Sequence, residues 1–69
     1  MKVWKVGDRC LVCINNRQVI GHINEVIQYT NRHVLRVKFD NHVKMDYAIY
    51  DYLYFTTQNV MDIPRGLRS

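Results

Sequence analysis

The stretch VLRVKFDNHVKMDYA, residues 34–48, decides how the chain is read. In its first half, Leu35, Val37 and Phe39 fall on one side, and Val34, Arg36 and Lys38 on the other. A period of two marks a strand with one face in a core, because successive side chains of extended backbone point to opposite sides. Asp40-Asn41 then reads as a hairpin turn, and His42–Ala48 as the returning strand, with Val43, Met45 and Tyr47 sharing a face.

The same period extends outward in both directions. Val6-Gly7-Asp8 is a turn that feeds a strand over Arg9–Ile14; Asn15-Asn16-Arg17 is a polar turn; Gln18–Gln28 is the next strand. Within it the apolar phase slips between Ile23 and Val26, so a bulge is expected near Asn24-Glu25. Thr30-Asn31-Arg32 turns the chain into the strand quoted above. Tyr50–Leu53 is short and aromatic and reads as a 3₁₀ turn before a last strand at Tyr54–Thr56. No window of eleven or more residues sustains a helical period, so the chain is expected to be all-β. Closing five strands into a small barrel removes the sheet edges that a chain of 69 residues has little means to cover. Residues 1–58 are assigned to this barrel, and residues 59–69, with Ile63-Pro64 and the run RGLRS, to a C-terminal extension or linker.

Composition narrows the function classes. A 48% apolar and 12% aromatic content is enough for one compact core. No apolar run reaches the roughly 18 residues of a membrane span, and MKVWKVGD is no signal peptide. A soluble, cytoplasmic domain without a membrane partner is expected. Ten Lys and Arg against six Asp and Glu give a net charge of +4, a mild bias toward acidic partners. These charges form no block, as a solvated surface would have it.

The pair Cys10 and Cys13 has C-x-x-C spacing, but a zinc site needs a second pair of ligands, and His22, His33 and His42 offer no matching spacing. A redox pair would sit at a helix start, whereas here Ile14 runs into Asn15-Asn16. On a strand the two thiols face opposite ways, Cys10 with Val12 in the core and Cys13 outside with Leu11 and Arg9. Neither metal nor cofactor is expected, and two unpaired cysteines suit a reducing compartment. No nucleophile-base pairing or phosphate loop points to catalysis.

The order of these elements, with W-K-V-G-D-R-C at 4–10, G-H-I-N-E-V at 21–26, V-L-R-V-K-F-D at 34–40 and Leu53, resembles a Tudor domain, a five-stranded SH3-like barrel. G-D-R-C-L-V-C-I, G-H-I-N-E-V and T-T-Q-N-V-M-D-I-P look like the Tudor domain that follows the protease domain in OTU-family deubiquitinases. The resemblance implies that this chain is an accessory domain of a cysteine protease acting on ubiquitin conjugates, with the catalytic domain outside these residues.

It also implies where a methyl-lysine or methyl-arginine cage would lie. Several ring faces hold such a cation, each contributing little and the set about 2 kcal/mol or more when desolvated. The carried-over positions are Ile14, Val19, Phe39, His42 and, as polar anchor, Lys44. Only Phe39 is a good ring; Lys44 repels a cation; and no aromatic lies between Trp4 and Tyr29. The cage is degenerate, and a methylated ligand is not expected.

Trp4 reads as a lid on one barrel end. Among the tyrosines of YAIYDYLYF, alternation leaves some exposed, and exposed tyrosines mark interfaces. Arg36, Lys38, Lys44, Tyr50 and Tyr52 are the expected interaction surface. The function expected is a non-catalytic protein-interaction or scaffolding module. The alternative is an RNA-contacting module using Arg36, Lys38 and Lys44 with Arg65 and Arg68.

Overall fold

In a computed structural model, which describes residues 2–67, the chain is all-β. Five strands, β1 (Arg9–Ile14), β2 (Arg17–Gln28), β3 (His33–Met45), β4 (Ala48–Thr56) and β5 (Val60–Met61), form one antiparallel sheet in the order β4-β3-β2-β1-β5. The sheet curls into a small barrel-like fold around its main core. Among the described residues no ladder joins β4 to β5, so both remain sheet edges.

The start of the barrel is tied down by its first turn. Gly7, at φ 98°, donates to the Ile23 carbonyl at 2.8 Å, and the Ile23 amide donates back to the Asp8 carbonyl at 2.8 Å. The Asp8 carboxylate accepts from the Lys5 amide at 2.9 Å, which closes the turn. Only glycine adopts that φ without strain, which is why G-D precedes the first strand. Cys10, Val12 and Ile14 then point into the core with Ile23, Leu35, Val37 and Phe39, while Trp4 and Val60 pack against them. Each such aliphatic side chain contributes roughly 1.5–3 kcal/mol when withdrawn from water. Gly21 sits where β2 crosses β3: a Cβ there would lie 2.4 Å from the Lys38 carbonyl oxygen, a backbone atom that cannot swing away.

The expected bulge is present, with the β2–β3 register shifting between Ile23 and Glu25. A larger irregularity overturns the expected hairpin at Asp40-Asn41. These residues lie inside β3, where Phe39 to His42 stand opposite Asp51 alone, and pairing resumes at Val43↔Tyr50. The turn is instead Asp46-Tyr47, with φ of 47° and 67°, the left-handed pair that a tight hairpin needs. Tyr47 therefore leaves the face of Val43 and Met45 and is fully exposed.

The 3₁₀ turn precedes the last strand, but both lie further along than expected. Tyr50–Leu53 is part of β4, as is Tyr54–Thr56; the 3₁₀ turn is Thr57–Asn59 and the last strand Val60–Met61. Alternation along β4 breaks near Asp51-Tyr52, opposite the β3 irregularity, and that break imitates a turn in the sequence. The segment read as an extension thus supplies β5, which pairs Val60 with Val12 and Met61 with Leu11. Val60 and Ile63 are buried. Leu11 is also buried, at 1% exposure, although it points away from the main core as expected; β5 runs alongside it. A second 3₁₀ turn spans Arg65–Leu67, and Arg68 lies outside the described residues.

Candidate functional site

The thiols are separated as strand geometry requires. Cys10 is fully buried and Cys13 exposed. Burial, with Asp40 adding to it, pushes the Cys10 thiol up from 9.0 to about 11, so it stays protonated and unreactive at neutral pH. Among the described residues no three His, Cys, Asp or Glu side chains come together as metal ligands, and no helix is long and apolar enough to cross a membrane.

Two surface features are built by the strands. The first is a cleft of about 590 Å³ between the β1–β2 hairpin and the part of β3 that extends past its pairing with β2. Four of the five carried-over cage positions converge there: Ile14, Val19, His42 and Lys44 all line it. Phe39 does not. It is 6% exposed and packs edge-on against Phe55 at 6.5 Å, a core ring with no free face. The sequence also left unassigned the rest of the lining, notably Ile20, Val43 and Met45 on the walls and Arg17 on the rim. Those positions needed the true course of β3, which the Asp40-Asn41 turn signal concealed. Among the described residues, His42 carries the only ring in the lining, and the only carboxylate, Asp40, accepts a hydrogen bond from Arg9 Nη2 at 2.8 Å.

The second feature is the outer face of β3 and β4. Arg36 stands opposite Tyr54 and Lys38 opposite Tyr52, so all four side chains share a face. The Arg36 guanidinium lies 5.1 Å from the centre of the Tyr52 ring, reached along the diagonal of the ladder. Its Nε donates to Asn24 Oδ1 at 2.6 Å and its Nη1 is 3.6 Å from Glu25, both supplied by the β2 bulge. Tyr52 and Tyr54 meet edge to face at 6.0 Å, yet remain 46% and 52% exposed. Lys38 makes no ion pair among the described residues.

Of the expected interaction residues, the structure therefore brings together Arg36, Lys38 and Tyr52. Lys44 belongs to the cleft, and Tyr50 is half-buried against the core. Tyr54 is the member that the sequence does not reveal, because Tyr50–Leu53 reads as a turn there and separates it from Tyr52. Trp4, 8% exposed, joins the core at the other barrel end, with the Lys2 ammonium 4.2 Å above its ring.

No family model, no curated protein and no solved structure matches the chain.

Proposed function

We propose that the chain is a non-catalytic, Tudor-like protein-interaction module whose recognition does not depend on methylation. By the same motifs it serves as an accessory domain of an OTU-family deubiquitinase, with the protease chemistry carried elsewhere. The supporting observation is the lining of the cleft at the cage positions: aliphatic walls, a single imidazole, and Lys44 at the anchor position. Such a site lacks the ring faces that stabilise a methylated cation.

The contact surface in this proposal is Arg36, Lys38, Tyr52 and Tyr54. Interfaces favour arginine and large aromatics, because rigid rings bury much area at little entropic cost. Arg36 is held in place by Asn24 and Glu25 before any partner arrives. Replacing Tyr52 and Tyr54 together by serine is expected to remove partners captured by the wild-type domain while leaving it folded, since both rings are half exposed. Equal capture by the double variant would move the contact surface elsewhere.

One observation favours a second reading, contact with single-stranded RNA. Two exposed rings flanked by the unpaired Lys38 and by Arg36 resemble a stacking platform beside a phosphate track. On that reading, affinity for a short single strand falls steeply with salt and is lost in Lys38→Glu. Salt-independent or undetectable binding excludes it.

A further inference from the structure

The cleft between the two hairpins carries a chemistry of its own. Its apolar walls come from both sides, Ile14, Val19 and Ile20 from β1 and β2, and Val43 and Met45 from the overhang of β3. At about 590 Å³ it falls within the range of pockets that enclose a bound group. Its rim is basic on both arms. Arg17 opens β2 and Lys44 lies on β3; both are exposed, and neither makes an ion pair among the described residues. The one carboxylate in the described lining, Asp40, is already engaged by Arg9.

A cationic group entering this cleft meets two like charges and no ring other than His42. An apolar group flanked by carboxylates meets an aliphatic floor between two unpaired cations. Amides of Asn15, Gln18 and Asn41 on the same rim can serve the backbone of an extended segment. We infer that the cleft takes an aliphatic side chain presented by an acidic, extended segment of a partner protein. The inference rests on the protein-interaction reading above and supplies the ligand chemistry for a second surface of the same module.

The test is an NMR titration of the ¹⁵N-labelled chain at low ionic strength with peptides of equal length. Their centres are leucine flanked by glutamates, leucine flanked by lysines, glycine flanked by glutamates, and trimethyl-lysine in a neutral context. The glutamate-flanked leucine peptide is expected to shift the amides of Val19, Val43 and Met45 and to bind about tenfold or more tighter than each of the others. Arg17→Glu and Lys44→Glu, both at exposed positions, are expected to weaken it several-fold, whereas Lys5→Glu, exposed and outside both the cleft and the outer-face contact surface, leaves it unchanged. Equal binding of the lysine-flanked leucine peptide, shifts confined to other residues, or no binding by any peptide overturns the inference but leaves methylation-independent recognition standing. A preference of about tenfold or more for trimethyl-lysine overturns both.

Discussion

Alternation along β1 separates Cys10 from Cys13 on the sequence alone. The burial of Leu11 was not legible, because alternation places it on the same face as the exposed Cys13. Cys10 and Cys13 should therefore react very differently. In native conditions iodoacetamide is expected to label Cys13 and spare Cys10, with Cys10 labelled only once the domain is unfolded, as read by mass spectrometry. The raised Cys10 pKa also sets a pH window. Its folded value, about 11, exceeds the ordinary 9.0, so the folded state holds the proton more tightly than the unfolded one. The associated stability is complete below about pH 9 and is lost as pH rises through about 11, roughly 2–3 kcal/mol in all. Urea midpoints across this range should fall for wild type and fall less for Cys10→Ala; parallel curves would show that the thiol is not what titrates.

At the scale of elements, the first two strands, the bulge at Asn24 and the all-β architecture follow from period and turn chemistry. The second half of the chain does not, for one physical reason. Phe39 to His42 form an irregularity in β3 opposite Asp51, and the polar pair Asp40-Asn41 inside it has the composition of a turn. The real turn puts Tyr47 at φ 67°, a conformation that composition alone would not assign to tyrosine. Because Tyr47 is fully exposed, Tyr47→Gly removes the left-handed strain without losing a contact. It should raise stability by roughly 0.5–1 kcal/mol, the strain relieved less the added flexibility of glycine. A lower melting temperature for this variant would place the turn elsewhere. The 3₁₀ turn and β5 follow the same logic, since moving the hairpin moves everything after it. A chain ending at Gln58 loses β5 and the burial of Val60 and Ile63, a loss of several kcal/mol that a domain of this size has little margin to absorb. It should give a poorly dispersed NMR spectrum; a native-like spectrum would return residues 59–69 to the status of an extension.

The whole molecule presents two faces of different character. The outer wall offers half-exposed tyrosines beside Arg36 and Lys38, and the hairpin end offers an aliphatic cleft with a basic rim. The absence of any Phe, Tyr or Trp between Trp4 and Tyr29 was legible, and that count does not depend on register. The convergence of Ile14, Val19, His42 and Lys44 on one cleft depends on strand register and needed the structure, whereas the burial of Phe39 beside Leu35 and Val37 follows from alternation, and only its edge-on partner Phe55 does not. The outer face was legible in Arg36, Lys38 and Tyr52 but incomplete without Tyr54, whose neighbour relation depends on the length of β4. Recognition without a methyl mark is the claim on which the functional account turns. Its most direct test is a paired calorimetric titration of the domain with an arginine peptide and its dimethylated twin. The two peptides are expected to bind alike, within about threefold if either binds at all; tighter binding of the methylated twin by about tenfold or more would overturn methylation-independent recognition.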